Sequence, residues 1–362
     1  MGVNLLTLSG TYYEIGRQIG EMFSSMIRKY IEERYDTMTR EFAKLGIKFD
    51  MEHYYGISDN LIAALREFAH NEYSELRGVA DGSGSAIRDV IFAISYSDVF
   101  DVLYAQSGCC TSESYEEGCT SFVTSKPCNY EGKLYAGQNW DMPIGTESYI
   151  IFVHKKPIGE MDYYSLTTVL GLTHIGMNAQ YTCIGTTNVA TKDIGNGLFF
   201  AALIQKALCR GKISECVSIF KNTKRLSGHY YYVANREGAY AIEVSASKSF
   251  IQYIDTGIHV HANHYNGKCF QRDAVDYSPS SRSREAALAY ELTSKRGRLE
   301  LCDYKQLLSR HDLNLCRHPT MNEDLPSETC GSVLFCPADH TVEVLVGSPC
   351  KSEWVRFEIN NG

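Results

Sequence analysis

The chain has 362 residues, 44% of them hydrophobic, enough to bury a full core, so extensive disorder is excluded. Its 43 acidic and 35 basic residues are scattered along the length for a net charge of -8, which leaves no basic stripe for nucleic acid or an anionic lipid surface. Thirteen cysteines, an odd number with no regular spacing and no CxxC pair, point to a reduced, cytoplasmic protein and away from a disulfide framework or a metal motif.

The first residues, "MGVNLLTLSGTYYEIG", carry no basic n-region, and Leu6 stands where a myristoylation motif needs Ser or Thr, so neither a signal peptide nor a lipid anchor is expected there. No apolar run approaches a membrane span. From residue 11 to 107 apolar residues recur every three or four positions. That spacing predicts three helical stretches, "YEIGRQIGEMFSSMIRKYIEERY", "DNLIAALREFAHNEYSELRGVADGSG" and "AIRDVIFAISYSDVFDVL". Residues 108 to 118, "GCCTSESYEEG", read as a polar loop containing the adjacent pair Cys109 and Cys110.

After this loop the period changes from helix to strand. "CTSFVTS", "KLYAGQN", "SYIIFVHKK" and "DYYSLTTVL" are rich in β-branched and aromatic residues and are separated by turn signals. Helices are predicted over 197–209 and 213–221, then the strands "HYYYVAN", "AYAIEVS", "FIQYID" and "IHVHANHY", with "NREG" as a hairpin turn. The helix "SREAALAYELTSKRG" and the strands "GSVLFCP", "TVEVLVG" and "EWVRFEI" follow. Two groups of strands with helices before, between and after them predict an α+β fold of stacked antiparallel sheets covered by helices. No internal repeat and no low-complexity linker sets the helical first third apart.

Most of the thiols read as small core hydrophobes. Cys119 calls for a different account, because in "EEGCTSF" it follows Gly118 and a polar loop at the start of a strand. As an internal residue its thiol, with a reference pKa of about 8.5, lacks an obvious base. Breaking the Gly118–Cys119 bond would give Cys119 a free α-amine with a reference pKa of about 7.7 to 8.0, so passing a proton between the two costs roughly 1 kcal/mol. Nucleophile and base then reside in one residue. The same thiol is placed to attack the Gly118 carbonyl, and glycine tolerates the backbone geometry of such a turn. Ser121 shares the strand face of Cys119 and is in position to hydrogen-bond within the site.

The stretch "GCTSFV", followed by "GQNWDM", "GMN" and "HANHY", resembles the acyl-coenzyme A:6-aminopenicillanate acyltransferase family of N-terminal-nucleophile (Ntn) hydrolases. "GTYYEIGRQIGE" and "ELRGVADGSG" resemble the family's opening helices, and "GSVLF", "TVEVLVGSP" and "WVRFEI" its closing strands, so the resemblance spans most of the chain. It implies a four-layer αββα sandwich and a precursor that cuts itself. Residues 1–118 become a helical small subunit packed on the core, and 119–362 a catalytic core with Cys119 as its new N-terminus. The family's acidic residue falls on Asp141, its strand asparagine on Asn263, and its serine assisting cleavage on Ser245. Asn263 would serve as an oxyanion donor. Asp141 would face the new ammonium and keep a low pKa.

Trp140 and the twenty-five tyrosines could line an aromatic pocket, to which Leu198, Phe199 and Phe200 would add acyl selectivity. His259 and His261 share a strand face with Asn263, the pattern of strand histidines beside a pocket; no metal and no cofactor is expected. "PSETCGS" lacks the basic residue that the penicillin-forming enzyme has before its late strands, so penicillin chemistry is not implied. The expected function is cleavage of the linear amide of a small N-acyl amine or amino-acid conjugate through a Cys119 acyl-enzyme. Acyl transfer from a thioester to an amine is the alternative. A self-cleaving asparaginase-type or bile-salt-type relative is disfavoured by the long helical segment before the cysteine, and an uncut, non-catalytic binding protein is the remaining reading. The expected partners are a small acyl amide or acyl thioester and the two cleaved fragments themselves, with no nucleic acid and no membrane.

Overall fold

A strand, absent from the sequence expectation, precedes the helices in the computed structural model, which describes residues 3–108, 118–275, 278, 280–319 and 326–360. Cys109 and Cys110 lie outside the described residues. Leu5–Gly10 (β1) pairs in parallel with Ile150–Pro157, from Leu5 opposite Phe152 to Gly10 opposite Pro157. Its six residues are too short a run for period two to stand out. Thr11 then caps the first helix, accepting from the Glu14 N–H while the Glu14 carboxylate accepts from the Thr11 N–H, a capping box.

Each predicted helical stretch is broken once. Tyr12–Met22 (α1) and Ser24–Lys44 (α2) part at Phe23, Met51–Phe68 (α3) and His70–Ser83 (α4) at Ala69, and Ile87–Ile94 (α5) and Tyr96–Ser107 (α6) at Ser95. None of these breakers is Gly or Pro, so local spacing does not reveal them. The glycines serve packing instead. A Cβ on Gly16 would lie 1.9 Å from the Glu75 carbonyl oxygen and one on Gly78 2.1 Å from that of Tyr13, so α1 and α4 cross backbone to backbone. This is the physical content of "GRQIG" and "GVADG".

The remaining elements are Thr120–Thr124 (β2), Tyr135–Pro143 (β3), Ile150–Pro157 (β4), Tyr163–Thr168 (β5), Ile175–Asn178 (β6), Cys183–Asn188 (β7), Phe200–Leu208 (α7) and Ile213–Asn222 (α8). They continue with His229–Ala234 (β8), Ala239–Val244 (β9), Ser249–Ile254 (β10), Ile258–His261 (β11), Ser281–Ser294 (α9), Leu301–Leu308 (α10), Ser327–Cys336 (β12), Thr341–Val346 (β13) and Val355–Glu358 (β14). β6, β7 and α10 are additions to the sequence reading. Eight strands form one sheet in the order β1-β4-β5-β6-β7-β8-β9-β10, and six form the other as β11-β2-β3-β12-β13-β14. Among the described strands, only the β1–β4 pair is parallel.

Strand alternation divides the interior into three cores. Tyr230 and Tyr232 of β8 point between the sheets, with Val123 of β2 and Val333 of β12. Tyr231 points the other way, into α7, α8 and the N-terminal helices. Phe122 and Leu334 face α9 and α10 on the far side of the second sheet. The layers are therefore helix, sheet, sheet and helix, the four-layer sandwich that the resemblance implies. α1 packs on β1 and β4, α7 on β6 and β7, α8 on β8 and β9, α9 on β11 and α10 on β12. A fully buried ion pair fastens the N-terminal helices to this body: Lys155 Nζ of β4 lies 2.5 Å from Glu75 Oε1 of α4.

Candidate active site

The chemistry-bearing residues converge where β2, β3 and β12 begin or end. Thr329 of β12 pairs with Asp141 of β3, and the register shifts by a bulge between Thr329 and Gly331. Cys119, just ahead of β2, is only 5% exposed. Its Sγ accepts from the Asp141 N–H at 3.4 Å and donates to the Asp141 carbonyl at 3.7 Å. The thiol is thus held against the Asp141 peptide.

The Asp141 carboxylate is wholly buried. Thr329 Oγ1 donates to its Oδ1 at 2.7 Å. Its Oδ2 has no hydrogen-bond partner among the described residues. That oxygen lies against Gly118, where an added Cβ would come within 2.5 Å of it, so glycine makes room for the carboxylate beside the Gly118–Cys119 bond. Burial pushes the Asp141 pKa up, against the opposing pull of the Thr329 hydroxyl and the Arg284 and Arg317 charges. The low pKa expected of Asp141 belongs to the cut chain, and the raised value here to the uncut one. The ammonium on which that expectation rested does not exist while the nitrogen of Cys119 is an amide.

Arg284, in the first turn of α9, is 1% exposed and joins the remaining parts. Its Nη1 donates to the carbonyl oxygens of Gly118 at 2.6 Å and Cys119 at 2.8 Å, and to Thr120 Oγ1 at 2.5 Å. Nη2 donates to Asn263 Oδ1 at 2.9 Å. The Asn263 amide in turn donates to the Asn188 carbonyl at 3.0 Å. A guanidinium fork thus holds Asn263 and the bond before Cys119 in one frame. The sequence reading contains this helix but gives Arg284 no role, because "SRSREAAL" has no spacing that marks one arginine as buried.

A cavity of about 50 Å³ opens on the thiol. Gln138, Trp140, His174, Asn188 and Phe200 line it from the body, and Tyr30, Ala93, Tyr96 and Ser97 from the N-terminal helices. Trp140 lies 4.9 Å from the His174 ring and His174 5.1 Å from Phe200. Burial pushes the His174 pKa down to about 3, so this wall is neutral and aromatic near pH 7. Phe199 and Leu198 belong to the main helix-side core and do not line the cavity.

The other expected residues are placed as follows. Ser121 Oγ donates to the His261 carbonyl at 3.1 Å, a cross-strand bond to β11. Ser245 follows β9 and donates to Asp193 Oδ2 at 2.6 Å, in a cluster with Ser247 and Lys248. His261 is engaged with Glu243 at 2.8 Å. Burial, with the charge of His261 next, pushes the His259 pKa down to about 4.

The family model for acyl-coenzyme A:6-aminopenicillanic acid acyl-transferase matches residues 128–351, more than half of the chain, starting downstream of Cys119 and taking in Asp141, Ser245, Asn263 and Arg284. No curated protein matches the chain in sequence. Similar solved structures include a mutant of the conjugated bile acid hydrolase from Clostridium perfringens, at 10% identity and a TM-score of 0.46, covering 67% of this chain and 97% of that one. Penicillin V acylase from Agrobacterium tumefaciens is another, at 11% identity and a TM-score of 0.42, covering 67% of this chain and 86% of that one. Among the described residues no helix is long and apolar enough to cross a membrane. On the family match, the chain belongs to the acyl-coenzyme A:6-aminopenicillanic acid acyl-transferase family.

Proposed function

We propose that this chain is a self-processing amidohydrolase whose nucleophile is Cys119 and whose substrate is the linear amide of a small N-acyl amine or amino-acid conjugate. The observation that carries the reading is Asp141 Oδ2, beside Gly118 and with no hydrogen-bond partner among the described residues. A buried acceptor left without a donor costs about 1–3 kcal/mol. Cutting the Gly118–Cys119 bond turns an amide into an ammonium next to that oxygen and removes the cost.

In the cleavage step the Cys119 sulfur attacks the Gly118 carbonyl carbon. The thiol proton passes to the nitrogen, the C–N bond breaks, the nitrogen leaves as the α-amine, and Gly118 is left as a thioester that water hydrolyses to a carboxylate and the free thiol. Arg284 already donates to the carbonyl oxygen that becomes the oxyanion. In turnover the free amine takes the thiol proton, sulfur attacks the substrate carbonyl, and the amine returns the proton to the leaving nitrogen. Asp141 holds the ammonium, and Asn263, oriented by Arg284, supplies an amide donor for the second oxyanion.

The small aromatic cavity suits a flat or short apolar acyl group. Tyr30 and Tyr96 line it, so fragment 1–118, held by the β1–β4 pairing and the Lys155–Glu75 ion pair, would complete the substrate site after cleavage. Acyl transfer shares the first half-reaction and differs only in admitting an amine in place of water. Intact mass and a denaturing gel of fresh protein beside Cys119→Ala test the reading. Fragments 1–118 and 119–362 are expected from the native chain alone, with hydrolysis of acyl amides by the cut form. A full-length chain that still turns over acyl amides refutes it, and an inert full-length chain supports the binding-protein reading instead.

A further inference from the structure

Away from the cavity, four metal-ligating side chains meet. Ligand atoms of His311, Cys316, His318 and Cys350 all lie within 4.8 Å of one another. His318 Nε2 is 3.6 Å from Cys316 Sγ and 3.1 Å from Cys350 Sγ, and the His311 and His318 rings are edge to face with centroids 5.0 Å apart. Both thiols are unbridged. A tetrahedral zinc site with bonds of about 2.3 Å to sulfur and 2.0–2.1 Å to nitrogen has edges of roughly 3.3 to 3.8 Å between its donors. No pair of the four atoms therefore needs to close by more than about 1.5 Å, and the His318–Cys350 pair opens slightly.

We propose that these residues form a Cys2His2 site for a divalent zinc-class cation. The donor set is that of a closed structural site, two soft thiolates and two imidazoles with no open position. A Cys316–Cys350 disulfide would use two of the four groups and leave both imidazoles without a purpose at the cluster. Three ligands come from the segment after α10 and the fourth from the turn after β13, 32 residues beyond His318, which is why no sequence spacing announces the site.

The ion would act as a pin with a consequence for the catalytic end of β3. Arg317 lies between two ligands, and its N–H donates to Thr329 Oγ1 at 2.9 Å while the Thr329 N–H donates to the Arg317 carbonyl at 3.1 Å. Thr329 Oγ1 donates in turn to Asp141 Oδ1. A fixed 311–318 segment thus fixes the hydroxyl that positions Asp141. The cluster geometry stands whether or not the amidohydrolase reading does.

The test uses full-length protein without a histidine tag, expressed with added Zn2+ and dialysed against metal-free buffer. One zinc per chain is expected by elemental analysis and native mass. His311→Ala and Cys350→Ser, both at or near the surface, are expected to bind less than a tenth of that amount while melting cooperatively. Replacing zinc with Co2+ is expected to give the intense visible bands of tetrahedral cobalt and a thiolate charge-transfer band that Cys350→Ser removes. Native protein with no zinc, equal zinc in the native chain and a Cys316→Ser/Cys350→Ser double variant, or a Cys316–Cys350 disulfide in a non-reducing peptide map would each overturn the proposal.

Discussion

Two buried carboxylates in this molecule start from similar ingredients and end in opposite states. Glu75, in α4, is fully satisfied: Lys155 Nζ donates to Oε1 at 2.5 Å and Gln205 Nε2 to Oε2 at 2.8 Å. Lys155 spends its other two donors on the Gly171 carbonyl and Gln205 Oε1, both at 2.9 Å. Asp141 is equally buried and has arginine charges close by, yet one of its oxygens is unmatched among the described residues. A closed network is a rivet between the N-terminal helices and the first sheet. An open one beside a backbone bond is what the proposed cleavage, by supplying a donor, would close.

The comparison breaks first at Asp141. Asp141→Asn keeps the shape and the Thr329 contact but cannot hold an ammonium as a carboxylate does. Cleavage of the freshly folded chain is expected to slow by about 100- to 10,000-fold, followed by band intensity on a time-course gel. Folding stability in urea should hold or rise, since a buried, half-satisfied charge has gone. Loss of stability with unchanged cleavage would make Asp141 another rivet.

Lys155→Met should do the reverse. Leaving Glu75 without its cation is expected to cost about 3–5 kcal/mol, read from the urea midpoint, while the cleavage rate of folded molecules stays within a few-fold of the native chain. If cleavage collapses with the structure intact, the two nodes are coupled and the contrast between them fails.

A pH series sharpens the difference in sign. In the uncut Cys119→Ala chain the Asp141 pKa is raised by burial, so the folded state holds its proton to higher pH than the unfolded chain. The stability contribution is therefore lost as pH rises from about 3.9, the ordinary aspartate value, through the raised one. The Asp141 share of the slope should vanish in Cys119→Ala/Asp141→Asn. If the native chain is cut as proposed, an ammonium beside Asp141 should lower the same pKa, and the Asp141 contribution should instead be lost as pH falls. Urea midpoints of the three proteins across the acid range provide the check.

Legibility in the sequence follows the range over which each feature is determined. Strand period two separates Tyr231 from Tyr230 and Tyr232, and the residues themselves show it. Cys119 is legible because a glycine, a polar loop and a strand start are its neighbours in the chain. Asp141 and Asn263 were found through motif order, and the structure ties both to the Gly118–Cys119 bond, one against Gly118 and the other through Arg284. Arg284 was not legible, since its burial depends on how α9 packs against β11, a matter of tertiary placement. The helix breaks at Phe23, Ala69 and Ser95 were hidden for the same reason: packing, with no Gly or Pro, imposes them. Phe199 and Phe200 are neighbours in sequence, yet one faces the core and the other the cavity.

Ser245 provides the mildest and most discriminating test. The family resemblance gives its hydroxyl a part in cleavage, whereas here it donates to Asp193 at 2.6 Å and accepts from the Lys248 N–H at 3.2 Å, like the hydroxyl of a hairpin cap. Asp193 has a second donor in Ser247, so removing Ser245 Oγ leaves the carboxylate partnered. Ser245→Ala is therefore expected to cost about 0.5–1.5 kcal/mol, the usual worth of one hydrogen bond, and to leave the cleavage rate within about twofold. The Asp193 cluster then belongs with Glu75 among the closed networks. A slowing near that of Asp141→Asn, with stability unchanged, would instead move Ser245 to the reactive side and require its hydroxyl to leave Asp193 for the Gly118–Cys119 bond during processing.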